Sequence, residues 1–359
     1  MGKIPTAASI SKKEYSFPED IRYKTVRAYG ENGYKFTLGA SIIKFNGVFI
    51  VAYLESLAKE NDGASRLVCK YSFDNCKSFS EASVIAEANA EFAYSHSVFY
   101  DDGKSLWIFA PKAAFGRATP EDLHPNLVME AYLFNENERS WTYQGTVLDT
   151  GFWPLCEPIT LSNGRLIIGG CCPPYRKGRG CRGGVAISDG NPLSWKMVTL
   201  PNPDGIPMWG ETAVADYGDE LVAFVRINPK DGVAAISKSR DGGESWTPLV
   251  RSNIQANDTK MYAGRLQDGR HYLISNIDLT EGAPDRGYRS TISVRVSESE
   301  ATHFGEPYII RNGFDYPARH FKSQWAYPYA VEENGFLYVV YTKHKEENEL
   351  AVIPIASLK

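Results

Sequence analysis

At 359 residues the chain exceeds the roughly 100–200 residues of one ordinary core, so it holds either two domains or one repetitive architecture. A net charge of -4 gives no long-range pull toward nucleic acid or an anionic membrane, and no run of 18 apolar residues is present. With 31 Gly, 20 Pro, 21 Tyr, 17 Phe and 7 Trp, the composition favours short aromatic strands joined by many turns, an all-β chain.

The start, Met1-Gly-Lys-Ile-Pro, lacks the apolar core of a signal peptide, so a cytoplasmic chain is expected; a processed secreted or periplasmic form would read the same. Residues 1–33 are polar and mixed, and are expected to supply a strand that closes a ring. Beyond them a module recurs: a polar residue heads an apolar strand, a Gly-, Asp- or Asn-rich turn follows, and a second apolar strand returns. The openings are Thr37-Leu-Gly-Ala-Ser-Ile-Ile, Tyr94-Ser-His-Ser-Val-Phe, Leu155-Cys-Glu-Pro-Ile-Thr, Trp209-Gly-Glu-Thr-Ala-Val, Tyr262-Ala-Gly-Arg-Leu and Trp325-Ala-Tyr-Pro-Tyr-Ala-Val. The turn glycines Gly47, Gly103, Gly164, Gly218, Gly269 and Gly335 follow one another at steps of 51–66 residues. Six such units predict one four-stranded antiparallel blade each, hence a single six-bladed β-propeller domain over 1–359. Pro120–Val128 has room for a short helical turn.

Ser239-Arg-Asp-Gly-Gly-Glu-Ser-Trp246 has the parts of a tight hairpin: an Asp to close the turn, glycines that accept positive φ, and a Trp to lie beneath. It resembles the Asp-box, or BNR, motif of several propeller families, in which the aspartate is structural. Degenerate copies stand at Ser72–Phe79, Ser188–Trp195 and Ser297–Phe304. The six cysteines, Cys69, Cys76, Cys156, Cys171, Cys172 and Cys181, include no CxxC pair and are expected to be buried thiols. Neither metal-ligand spacing nor a calcium-loop pattern is visible, and no metal or cofactor is expected.

In a propeller the innermost strands begin around a central funnel, which turns the openings into a site list of Ser41, His96, Glu157, Glu211, Arg265 and Tyr327. Trp153, Trp209 and Trp325 lie near three openings and suit stacking on sugar rings. Arg176-Lys-Gly-Arg-Gly-Cys-Arg182 is a basic, Gly-rich rim loop able to gather an anionic glycan.

The fourth to sixth units resemble the sialidase superfamily. Glu211 opens one strand and Arg226 ends the next; Arg289-Ser-Thr-Ile-Ser-Val-Arg is similar to the strand whose leading arginine meets a substrate carboxylate, with Arg286 and Arg265 as competitors. Tyr327-Pro-Tyr-Ala-Val looks like the strand headed by a nucleophilic tyrosine. By that resemblance Glu211 would deprotonate Tyr327, Arg226 and Arg289 would grip an acidic sugar, and Asp62, with Glu60 as replacement, would be the general acid/base. Where sialidases carry Arg-Ile-Pro at the head of the first blade, this chain has Thr37-Leu38-Gly39.

The residue types suit the chemistry. An anomeric carboxylate repels a carboxylate nucleophile, so a neutral tyrosine activated by a glutamate is preferred, and arginines hold the carboxylate with fixed, always-charged donors. The expectation is an exo-acting hydrolase of a terminal, acidic sugar. Its rivals are a glycan-binding propeller without turnover, a two-carboxylate glycosidase using Glu157 and Glu211, and a lyase using Tyr327 and His96.

Overall fold

The computed structural model describes residues 15–228, 232–277, 279, 289–297 and 303–359. Arg286 and residues 298–302 of the last degenerate turn lie outside them. The described chain is all-β. Its strands are β1 (Arg22–Arg27), β2 (Phe36–Phe45), β3 (Val48–Ser56), β4 (Arg66–Ser72), β5 (Ser83–Ala86), β6 (Ala93–Tyr94), β7 (Val98–Asp101), β8 (Leu106–Ala113), β9 (Val128–Asn135) and β10 (Ser140–Leu148). They continue with β11 (Trp153–Pro154), β12 (Ile159–Thr160), β13 (Leu166–Arg176), β14 (Gly180–Ser188), β15 (Lys196–Thr199), β16 (Met208–Asp216), β17 (Leu221–Ile227), β18 (Val233–Ser239) and β19 (Val250–Gln255). The last are β20 (Tyr262–Arg265), β21 (His271–Ile277), β22 (Thr291–Val296), β23 (Tyr308–Asn312), β24 (Trp325–Glu333), β25 (Phe336–Lys343) and β26 (Glu347–Pro354).

Pairing is local and antiparallel within each repeat. One sheet has the order β2-β3-β4-β5, a second β10-β9-β8 with β6 and β7 on its edge, a third β20-β21-β22-β23. The largest sheet divides at a single parallel pair, Cys181 with Trp209, into β11–β15 and β16–β19. In the last sheet, β1 pairs with β26 beside β25 and β24, so the polar N-terminal stretch shares a sheet with the end of the chain. The helical turn expected at Pro120–Val128 is absent; a 3-10 turn stands earlier, at Phe115–Arg117.

Successive residues of one strand enter different cores. Along β3, Phe49, Val51 and Tyr53 join one apolar cluster while Ile50 and Ala52 join another; along β17, Val222 and Phe224 part from Ala223 and Val225. Side chains alternate across a strand, so each such sheet is covered on both faces by neighbouring packing. All six cysteines are buried thiols.

The turn at Ser239–Trp246 closes on its aspartate. Ser245 N–H and hydroxyl reach the Asp241 carboxylate at 2.9 and 2.5 Å, Ser239 Oγ donates to it at 2.8 Å, and Trp246 Nε1 donates to Gly243 O at 3.0 Å. The same set recurs around Asp74, with Ser78 N and Oγ at 2.9 and 2.6 Å and Ser72 Oγ at 2.9 Å. There the left-handed positions occupied by Gly242 and Gly243 are filled by Asn75 and Cys76, at φ 57° and 64°. Hydrogen bonds from the serines, those of Ser78 and Ser245 foremost, hold both carboxyls down at about 2.

Candidate functional site

The first strand of most repeats is broken or bulged, and the gaps carry the polar residues. Pairing shifts between Leu38 and Ser41, between Met208 and Thr212, and between Ala326 and Tyr329. The intervals hold Gly39, Glu211 and Tyr327. His96 falls between β6 and β7, and Leu155 between β11 and β12. A bulge turns a side chain out of the regular alternation and frees it from packing. Gly and Pro in these openings, at Gly39, Gly210 and Pro328, are the sequence marks of such breaks.

These residues meet in a hollow of about 230 Å³. Leu38, His96, Trp153, Trp209, Glu211, Arg226, Arg289 and Tyr327 are on its walls, and so are Glu60, Asn61, His124 and Lys345. At its centre Tyr327 Oη donates to Glu211 Oε1 at 2.6 Å, and Arg226 Nη1 donates to Glu211 Oε2 at 2.6 Å. Arg226 Nε reaches Asp258 at 2.7 Å. Arg289 is held by Nε on the Asp258 carbonyl and by Nη1 on Gln324 Oε1, both at 2.9 Å. Both guanidinium groups keep Nη2 without a partner among the described residues.

Burial pushes the Tyr327 phenol well above its ordinary value, and the Glu211 charge adds to it, against Arg226 and Arg289. The tyrosine therefore rests as a neutral phenol. Burial works against the Arg226 charge, but Glu211, Tyr327 and Asp258 outweigh it and raise its pKa; Arg289, buried beside Arg226, is lowered. His96 and His124 are pushed down by burial to about 3 and about 4, so both are neutral imidazoles at neutral pH.

Tyr327 has φ 59°, a left-handed conformation unusual for a bulky residue. Lys260, buried behind it, donates from Nζ to Pro328 O at 2.6 Å and so pins the next peptide of the bulge. In front, the His96 ring lies edge-on to Tyr327 at 5.5 Å and tilted against Trp153 at the same distance.

His96 also accounts for Thr37-Leu38-Gly39 in the first repeat. Gly39 has φ 62°, and a Cβ there would stand 2.2 Å from His96 Cγ, so the ring fills the space that a side chain at this position would need. Gly39→Ala is expected to cost roughly 2–4 kcal/mol, from the left-handed backbone and overpacking together. Urea unfolding measures it, and a change within about 0.5 kcal/mol would contradict the packing described.

Four of the expected site residues are placed elsewhere. Asp62 does not line the hollow: its carboxylate caps its own loop, accepting Ala64 N–H at 3.1 Å, while Glu60 two residues earlier faces inward. Glu157 lies past Leu155, about 7 Å further along an extended chain, and is absent from the hollow's walls. It sits near Lys260, Tyr262 and Tyr329, where burial pushes its carboxyl up to about 7 while the two phenols and the Lys260 charge pull the other way. Arg265 is exposed at the far end of β20, next to the turn, with Nε toward Gly269 O at 3.4 Å, because that strand is only four residues long. Ser41 is spent on the backbone, at 3.5 Å from Ala52 O.

The site also holds residues that the sequence did not single out. Asp258 bridges the two arginines, and Lys345 pairs with Glu60. His124 stacks edge-on against Trp153 and Tyr175, each at 4.7 Å. Each comes from a loop or turn with no periodic pattern, and no signal in the chain marks it.

The fold is shared with solved structures at low sequence identity. A protein of unknown function from Dyadobacter fermentans superposes with a TM-score of 0.72 at 18% identity, over 93% of this chain and 99% of that one. A Trypanosoma rangeli sialidase in complex with sialic acid gives 0.70 at 12%, over 96% of this chain, which spans only 60% of that protein. The NanB sialidase of Streptococcus pneumoniae gives 0.70 at 13%, covering 94% of this chain and 71% of the other. At these identities the likeness is one of fold. No curated protein sequence matches the chain. The profile of the BNR repeat-like domain family matches residues 114–339, well over half of the length, and the chain belongs to that family.

Proposed function

We propose that this protein is an exo-acting glycoside hydrolase that removes a terminal acidic sugar, with Tyr327 as nucleophile and Glu211 as its base, on a single six-bladed propeller. The observation that carries this is the 2.6 Å hydrogen bond from the Tyr327 phenol to Glu211 inside a hollow walled by Arg226 and Arg289. Six antiparallel strand groups support the propeller, as does a hollow that draws at least one wall residue from every group.

Tyr327 Oη attacks the anomeric carbon as its proton passes to Glu211 Oε1, and the bond to the leaving oxygen breaks as that oxygen takes a proton from a carboxylic acid. Water then attacks the tyrosyl glycoside, giving up a proton to the same carboxylate, while Tyr327 leaves and recovers its own from Glu211. Arg226 and Arg289 each offer a free Nη2 to the sugar carboxylate, a two-arginine grip. With Thr37-Leu38-Gly39 standing where sialidases carry Arg-Ile-Pro, sialic acid is one candidate within a wider class of acidic sugars.

Glu60 is the acid/base in this scheme, since it lines the hollow and 40% of its side chain is exposed. Burial raises its pKa, but the Lys345 charge and hydrogen bond outweigh this and leave it below the ordinary 4.5. An acid must be protonated to act, so kcat/KM on a poor leaving group is expected to fall as pH rises through that lowered value. Lys345→Met, which removes the ammonium, is expected to move this descending limb to higher pH. An unmoved limb would exclude Glu60 as the acid.

The Glu60–Lys345 pair also favours a second reading, a glycan-binding protein without turnover, because it keeps the carboxyl ionised at neutral pH. A panel of fluorogenic glycosides of acidic and neutral sugars separates the two, with product stereochemistry followed by NMR. The hydrolase releases an acidic sugar with retained configuration. Silence across the panel would leave the binder, and an unsaturated product absorbing in the ultraviolet would make the protein a lyase.

A further inference from the structure

Beside the hollow runs a trough of about 750 Å³, bounded by the β13–β14 turn and the chain leading into β16. Arg176, Arg179 and Arg182 stand on one side of it, Asn202 and Asp258 elsewhere on its walls. Cys181 and Trp209 line both the trough and the hollow, and they are a parallel pair that joins two strand groups edge to edge. The two spaces therefore share a wall built into the sheet.

The electrostatics of the trough are one-sided. All three arginines are exposed, and among the described residues no carboxylate forms an ion pair with any of them. Among the described residues the only carboxylate on the walls, Asp258, is committed to Arg226 Nε at 2.7 Å. With Lys177 the run places four cations in seven residues of a chain whose net charge is -4. Unpaired guanidinium groups in a concave surface suit planar or tetrahedral oxyanions, which they hold with two parallel hydrogen bonds.

We infer that the trough is a leaving-group subsite that takes a sugar bearing an anionic substituent, a carboxylate or a sulfate. The inference rests on the hydrolase or binder reading of the hollow: with a terminal sugar seated there, Cys181 and Trp209 form the wall it would share with the next sugar of its chain. The shared wall, more than the charge, selects a glycan over other polyanions.

The test is calorimetric binding to the full chain, which needs no turnover, using lactose, sulfated lactose, digalacturonate and a short DNA duplex as probes. The wild type is expected to bind at least one of the two anionic saccharides at least about tenfold more tightly than lactose; which of them does so identifies the anion as sulfate or carboxylate. Arg179→Ala and Arg182→Ala are each expected to remove most of that preference. Lys177→Ala deletes the same charge from the same run but outside the trough, and is expected to change affinity less than about twofold. Equal binding of lactose and both charged sugars would overturn the subsite, and so would a Lys177→Ala loss as large as that of Arg182→Ala. Duplex DNA bound as tightly as the better anionic saccharide would replace the glycan with nucleic acid. A preference that depends on the arginines, in a protein that hydrolyses nothing, would keep the trough while removing the hydrolase.

Discussion

Tyr327→Phe is expected to lower kcat by at least about a thousandfold while the protein stays folded. The substitution deletes one oxygen. The ring remains 6% exposed and keeps its edge-on contact with His96, and the left-handed backbone at φ 59° is unaffected. Glu211 keeps Arg226 on Oε2 and loses only the phenol on Oε1, a stability cost of about 1–3 kcal/mol. What disappears is the nucleophile, and with it the covalent route. KM should change little, because the arginines that would hold the sugar are untouched. Steady-state kinetics on the best fluorogenic substrate, with circular dichroism to verify the fold, makes the measurement. A loss of tenfold or less would mean that the phenol does not form a bond to the sugar.

Glu211→Gln is the second large effect, with kcat expected to fall by roughly 10²–10⁴ as for loss of a general base. The Tyr327 phenol is raised by burial first and by the Glu211 charge next, so it cannot ionise by itself near neutral pH. Its proton needs an acceptor at 2.6 Å, and glutamine is not one. Arg226 loses one carboxylate but keeps Asp258 at 2.7 Å, so the stability cost should stay below the roughly 3–5 kcal/mol of a buried pair broken on one side. Because the two side chains act as one unit, the double variant Tyr327→Phe/Glu211→Gln should be no slower than the slower single variant. Losses that multiply would show the two acting separately.

Much of this site was legible along the chain, and the exceptions have physical causes. The Asp241 turn could be read because its geometry is local: carboxylate, serines, glycines and Trp246 all lie within eight consecutive residues. Glu211 and Tyr327 could be placed together because the units repeat and each begins at the same point, whereas Arg226 and Arg289 were named from the resemblance to the sialidase superfamily. His96 was named for the same reason; it lines the hollow and also fills the volume over Gly39.

The misses follow from the strand irregularities that build the site. The break between β11 and β12 shifts the facing residue, so Leu155 reaches the hollow where Glu157 was expected, and a short β20 carries Arg265 out to its turn. In the loop at 60–62, an exposed Asx turn takes Asp62 and leaves Glu60 inside, a choice that depends on Lys345 from a segment almost the whole chain away. Asp258 and His124 belong to aperiodic connections, where position is decided by packing across the molecule and not by pattern.

The most direct test of the nucleophile is peptide mapping by mass spectrometry after incubation with a slow, fluorine-substituted acidic glycosyl fluoride. A sugar adduct on the peptide containing Tyr327, absent from Tyr327→Phe, is the predicted result. An adduct on Glu60, Glu157 or Glu211 instead would contradict the tyrosine mechanism.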